Sequence, residues 1–252
     1  MLALELIFAV FPGIIVFIMV YRLDKIEKEP ASLLAKLLVS GILAGLLSFA
    51  AGALGYMVLQ SLYTGKNLMF FQFADSFLLK ALPEQVCIFL VLYLLTWKAK
   101  EFNYTFDAVV YAITIALGVT VTGNLIRIFR GRGFQPGVLL LSLVGHMISA
   151  VFMGCFYGKT KNCEGLKDSG STRLYLAETL LIPAIMFGIY DFCMRIQTTV
   201  FYIFLIIYEI VCMIISLREI IYLSGHDTKL AGLADAELSK EEMASFQETE
   251  RW

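Results

Sequence analysis

Seven apolar stretches, each long enough to cross a lipid bilayer, constrain this chain more than any other feature of its sequence. A spanning helix needs about 20 apolar residues, and only helices or closed barrels satisfy their backbone hydrogen bonds in lipid. With 59% hydrophobic and 16% charged residues, the composition excludes an ordinary soluble domain. The sequence therefore predicts an all-α, polytopic membrane helix bundle with about seven spans, at 4–21, 34–59, 76–97, 107–128, 137–158, 174–194 and 198–221.

The distribution of basic residues predicts how the bundle is oriented. Loops on one side carry about twice as many Lys and Arg as loops on the other, and the richer side is normally cytoplasmic. We expect the N-terminus outside and the C-terminus inside, although Arg127, Arg130 and Arg132 cluster on the predicted outer side. The first span lacks a basic leader and a small-residue cleavage site, so we expect it to be retained.

Two parts are predicted: a transmembrane bundle at 1–223 and an acidic cytoplasmic tail at 224–252. Within the tail, 234–246 could equally form a surface helix or be disordered. A net charge of -1 gives no indication of nucleic-acid binding. In the second span, Gly41 and Gly45 are four residues apart, a spacing that lets two helix backbones approach closely. This span is therefore expected to pack near the centre of the bundle. A short apolar stretch at 68–73 is expected at the membrane interface.

Three ionisable residues on three predicted spans fall in the outer half of the membrane. At 1.5 Å per residue, Glu84 lies ~12 Å and His146 ~14 Å from the outer ends of their helices, and Asp191 lies ~6 Å from its outer end. Ionisable groups inside a membrane are costly and usually functional. These residues are consistent with a general-base pair for hydrolysis, with a structural hydrogen bond between helices, or with transport or ligand binding.

Two further charged residues bear on these alternatives. Lys80 lies one turn before Glu84 and could pair with it, but a lysine whose ammonium reaches the interface is the favoured interpretation. Glu209 lies deep in the seventh span, where a transporter would give it a role.

Several segments, in order along the chain, resemble the PrsW family of bacterial intramembrane proteases. The resemblance is carried by Pro12-Gly13, the acidic and basic segment 24–30 that ends in Pro30, Glu84-Gln85-Val86-Cys87-Ile88, Phe106-Asp107-Ala108-Val109-Val110-Tyr111, Gly123-Asn124, His146 with Met153-Gly154, and Ile189-Tyr190-Asp191-Phe192. It implies a multi-pass protein of the bacterial cell membrane, related to the CAAX prenyl endopeptidases. It also implies a glutamate that activates water beside histidines, and cleavage of a single-pass anti-sigma factor at its outer side. The implied site residues are Glu84, His146, Asn124 and Asp191.

Four positions depart from the family's pattern. Gln85 stands where the family has a second glutamate, and Ile88 replaces its lysine. Gly123 replaces a glutamate before Asn124, and Phe187 replaces a histidine. Because members of one catalytic constellation fail together, we expect a catalytically impaired member that binds single-pass membrane proteins. The alternatives are an active endopeptidase that uses Glu84 and His146, and a transporter or ligand receptor. Whether a divalent metal binds at Glu84, His146 and Asp191 is left open.

Overall fold

The computed structural model describes residues 2–131 and 135–233, and within these ranges the protein is a helix bundle without β-strands. Its helices are α1 (Leu2–Leu23), α2 (Ala31–Leu62), α3 (Leu68–Ala74), α4 (Leu82–Thr96), α5 (Asp107–Phe129), α6 (Pro136–Gly165), α7 (Ser169–Ile196) and α8 (Thr199–Gly225). A π-helical segment, Asp75–Ala81, joins α3 to α4 without a break. Seven helical stretches in the described chain are long and apolar enough to cross a membrane. The predicted fold class is confirmed.

The third span differs most from its predicted bounds. It runs over Leu68–Thr96, so the apolar stretch 68–73 belongs to the span instead of forming a separate interfacial segment. The helix begins at Leu68 because Asn67 caps it. The Asn67 side-chain oxygen accepts a hydrogen bond from the Phe70 N–H at 3.1 Å.

The centre of the bundle is α5, which is buried almost all round and contacts α1, α2, α4 and α6. Its approach to α2 depends on glycine. A Cβ at Gly41 would lie 2.2 Å from the Ile115 carbonyl oxygen, and a Cβ at Gly118 would lie 2.4 Å from that of Leu38. The small residues of the second span therefore pack α2 directly against α5, as their spacing predicts. The outward faces of α2 and α8 are apolar and exposed, so lipid surrounds them.

The loops at the predicted inner end carry several enclosed carboxylates, and the half-buried Asp227 joins two of these loops. Asp24 and Glu29, between α1 and α2, are 1% and 5% exposed. Beyond α8, Asp227 accepts from the Phe106 N–H at 2.9 Å and from the Thr105 hydroxyl at 3.0 Å. The first ten residues of the predicted acidic tail, 224–233, thus lie against the bundle, with Leu230 3% exposed. The remainder of the tail, with the surface helix predicted at 234–246, and Arg132 lie outside the described residues.

We predict that Gly118→Ala destabilises the protein by about 1–3 kcal/mol, because its new methyl group would overlap the α2 backbone. The matched control is Gly123→Ala in the same helix, an exposed position where no heavy atom of the described residues lies within 4 Å of the new Cβ. The control should be neutral or gain up to about 1 kcal/mol from helix propensity. Thermal unfolding in detergent, followed by circular dichroism, measures both. Equal stability of the two variants would contradict the close approach of α2 and α5.

We also predict a pH dependence of stability from Glu29. Burial, with the nearby charges of Asp24 and Glu27, raises the pKa of Glu29 from its ordinary 4.5 to about 7. Between these values the folded protein holds a proton that the unfolded chain has lost, so stability falls as pH rises. Glu29→Gln should flatten this part of the curve of melting temperature against pH. Glu101→Gln, which changes an exposed carboxylate, is the control and should leave the slope of melting temperature against pH unchanged. If Glu29→Gln also leaves this slope unchanged, Glu29 is not the group responsible for the pH dependence.

Candidate functional site

The π-helical segment places the site residues of the third span. Pro83 has no N–H, so a regular helix would leave the Leu79 carbonyl without its donor. The wider turn adapts to this, because the Leu82 N–H bonds back to the Phe77 carbonyl, five residues earlier. The Leu79 carbonyl oxygen instead lies against α2, 2.9 Å from where a Cβ of Gly52 would be. This arrangement places the Lys80 ammonium beside the Glu84 carboxylate, with His146 of α6 and Phe187 of α7 as their neighbours.

Glu84 is 1% exposed and its two carboxylate oxygens face two different groups. The Lys80 ammonium donates to Oε2 at 2.5 Å. His146 Nε2 on α6 lies 2.8 Å from Oε1, at ion-pair distance but off the line of a hydrogen bond. The other ring nitrogen, Nδ1, lies 2.5 Å from the Ser142 carbonyl oxygen. Both nitrogens of His146 thus face acceptors, which is favourable when the ring carries two protons or when a proton is shared with Glu84.

Phe187 closes one side of this group. Its ring centroid lies 4.4 Å from that of His146 and 5.3 Å from that of Tyr190, and it is 1% exposed. The Lys80 ammonium lies 5.9 Å from the Phe187 ring centroid. An apolar, close-packed wall therefore stands where the resemblance implies a second histidine.

Asp191 takes a different partner from the one that the sequence suggested. It accepts from Arg195 Nε one turn later on α7, and Arg195 Nη1 also donates to Asp75 at 2.5 Å. Asp75 is 5% exposed at the start of the π-helical segment. Asp191 lies close enough for its charge to act on Lys80, although no ion pair within 4.0 Å joins these two side chains. Charges of alternating sign, which we call the charge chain, follow one another in the order Asp75, Arg195, Asp191, Lys80 and Glu84.

Asn124 is placed apart from the charge chain. It is 1% exposed on α5, and its side-chain amide donates to the Ala9 carbonyl of α1 at 3.4 Å. This contact links two helices, whereas the sequence suggested a place beside Glu84. Of the four predicted site residues, Glu84 and His146 are in contact. Asp191 is paired with Arg195 and affects the pair through its charge. Asn124 is hydrogen-bonded to α1.

Three of the four departing positions, Gln85, Ile88 and Phe187, are buried, and Gly123 is exposed. Gln85 is 0% exposed, and neither atom of its amide has a hydrogen-bond partner in the described protein. Ile88 is packed in the core at 1% exposure. A Cβ at Gly123 would have no heavy atom of the described residues within 4 Å, because this position faces outward. The two carboxylates, the ammonium and the imidazole that the resemblance implies are thus replaced by an unpartnered amide, two apolar side chains and a glycine.

Several charged residues of this region were missed or underestimated. The expectation that the Lys80 ammonium reaches the membrane interface was wrong, because the ammonium is paired with Glu84. The spacing of four residues between Lys80 and Glu84 is the sequence feature that indicates this pair. The pairing of Asp75 with Arg195 joins residues 120 positions apart and has no local signal. Glu209 is 3% exposed on α8, with neither oxygen hydrogen-bonded in the described protein. Its Oε1 lies 3.0 Å from where a Cβ of Gly145 would be, next to His146.

The donors present do not fit a metal ion. Catalytic zinc uses three protein ligands, each about 2.0–2.2 Å from the metal when nitrogen or oxygen. Ligands at those distances around a tetrahedral ion are about 3.3 Å apart, more than the 2.8 Å between Glu84 and His146. Lys80 holds the second oxygen of Glu84, and Asp191 is paired with Arg195. Within 2–131 and 135–233, no group of three or more His, Cys, Asp or Glu is arranged to hold a metal.

Comparison with known proteins gives one consistent result. The family described as "PrsW family intramembrane metalloprotease" matches residues 29–217. "Protease PrsW" of Geobacillus kaustophilus is 25% identical over 71% of this chain and 75% of the relative. "Protease PrsW" of Clostridioides difficile is 31% identical over 62% of this chain and 66% of the relative, and that of Bacillus subtilis is 23% identical over 72% and 78%.

No solved structure matches the chain. The family match covers most of the sequence, and its bounds include Glu84, His146, Asp191 and all four departing positions. The seven apolar helices and the bacterial relatives make this a multi-pass protein of the bacterial membrane. By its sequence match and by its helical architecture, the chain belongs to the PrsW family of intramembrane proteases.

Proposed function

We propose that this PrsW-family protein binds single-pass membrane proteins in its intramembrane site without cutting them efficiently. The observation that supports this most directly is that Glu84 is enclosed by Lys80 and His146. Lys80 bonds one of its oxygens and His146 faces the other at 2.8 Å. A general base must reach the proton that it removes, directly or through one water. Glu84 is 1% exposed behind these two side chains, so water or a substrate proton reaches its carboxylate only if one of them moves.

The rest of the site offers little that would compensate. Hydrolysis also needs donors directed at the developing oxyanion, and losing one such group typically costs about 10²–10³ in rate. Loss of a general acid or base costs about 10²–10⁴ more, and such losses act on one constellation, so they do not simply add. Gln85, Gly123 and Phe187 replace ionisable side chains implied by the resemblance. Severe loss of activity is therefore the expected outcome.

Binding does not require the groups that are missing. The Gln85 amide is buried and unpartnered, and an amide can both donate to and accept from a peptide group of a bound segment. Gly123 lies on the exposed surface of α5, where a bound segment would meet no side chain at that position. The relatives are named as proteases, and a protease fold in the membrane must admit a polypeptide. A single-pass anti-sigma factor is the partner class that the family resemblance suggests.

One observation favours a second candidate function, an active endopeptidase. Glu84 and His146 form a carboxylate–imidazole contact of 2.8 Å, which is a geometry suited to general-base chemistry once Lys80 moves away. The unpartnered Glu209 is likewise the feature that would favour a transporter. These alternatives give different outcomes in a single assay.

The assay uses proteoliposomes that contain this protein and a single-pass anti-sigma factor with a different tag at each end. We predict that the anti-sigma factor stays intact and co-purifies with the wild type, with Glu84→Gln and with His146→Ala. Glu178→Gln, a carboxylate of α7 outside the site, is the matched control. A cleavage product that disappears in Glu84→Gln and His146→Ala would establish the endopeptidase instead. Failure of the intact partner to co-purify would refute binding, and solute uptake abolished by Glu209→Gln would indicate a transporter.

A further inference from the structure

Lys80 is the cation nearest to Glu84 in the described structure, and its position is fixed by the helix that carries both residues. The lysine lies in the π-helical segment, four residues before the glutamate, and its ammonium is 2.5 Å from Oε2. The Lys80 side chain is 28% exposed, whereas that of Glu84 is 2% exposed. The ammonium therefore turns inward to the carboxylate and faces Phe187, instead of reaching the interface.

A carboxylate buried in a membrane protein must be neutralised by a proton, an opposite charge or a metal. The family's description includes a metal, but the donors around Glu84 do not fit one. Lys80 supplies the opposite charge from within the chain. Because it is tethered one turn away, it competes with any ion from solution at a high effective concentration.

The charge chain extends this compensation to the predicted outer end. Its three carboxylates are matched by two basic side chains, so the charge chain carries one more negative group than positive groups, and His146 faces its Glu84 end. Arg195 bonds one oxygen of Asp75 and one oxygen of Asp191, and its charge weakens the attraction of either carboxylate for another cation. A divalent ion at Glu84 would leave an excess of positive charge in a low-dielectric site, which is unfavourable.

We infer that the Lys80 ammonium takes the place of the divalent metal implied by the family's description, so that the site is a metal-free ion pair closed by an internal cation. The inference rests on the proposed function, because it assigns a physical reason for an intramembrane site that binds without cutting. It concerns metal content and stability, however, and neither depends on whether a partner is cleaved.

The test measures bound metal and melting temperature for the full-length protein in detergent, with zinc as the probe. The wild type should retain no stoichiometric metal after dialysis, and neither zinc nor a chelator should shift its melting temperature. Lys80→Met should melt several degrees lower, because Glu84 loses its counter-ion. Zinc should restore part of that loss and bind on the order of 10–100 times more tightly than to the wild type, because a unit positive charge is removed from beside Glu84.

Two further variants separate this effect from a general loss of folding. Lys80→Arg keeps the charge and should remain insensitive to zinc. Lys66→Met removes an exposed cation at the same end of the span and should behave as the wild type does. Stoichiometric metal in the wild type would overturn the inference whether or not a partner is cut. So would a Lys80→Met variant that is as stable as the wild type, or one that shows no response to zinc. Cleavage of a partner by metal-free wild type would instead refute the proposed function alone.

Discussion

The contact between Lys80 and Glu84 is the interaction on which the site depends. A full charge in the apolar interior of a membrane bundle is unfavourable unless an opposite charge or a proton lies beside it. Glu84 has such a partner one turn away, and the same condition explains the rest of the charge chain. Each of its members is adjacent to a group of opposite sign, so Arg195 is held between Asp75 and Asp191. Removing Lys80 would leave Glu84 without its basic partner, and removing Arg195 would leave Asp75 and Asp191 without theirs.

The fold supports this contact through two structural features. Close approach of α2 and α5 at Gly41 and Gly118 fixes the central helices. The π-helical segment then accommodates Pro83 and brings Lys80 and Glu84 to a common face opposite α6. The bundle of a protease family is thus retained around a site whose charges neutralise one another. That combination favours a protein that holds a membrane partner over one that hydrolyses it.

Much of the fold could be predicted because lipid imposes simple rules on sequence. Span number follows from apolar length, and the role of Gly41 follows from its spacing to Gly45. The contact of Glu84 with His146 could be anticipated from depth alone, since both lie at similar distances from the ends of their helices. The partners of Asp191 and Asn124 could not be anticipated in this way, because depth in the membrane does not specify the rotation of a helix about its own axis. The π-helical segment also changes the direction of every side chain that follows it, and its only sequence signal was Pro83.

A double-mutant cycle on Lys80→Met and Glu84→Gln tests the central claim most directly. The free energy of unfolding in detergent is measured for the wild type, both single variants and the double variant. If the two side chains are paired as described, the double variant is more stable than the sum of the single losses predicts, by at least about 1 kcal/mol. Additive losses, within about 0.5 kcal/mol, would show that the residues do not interact and would contradict the account.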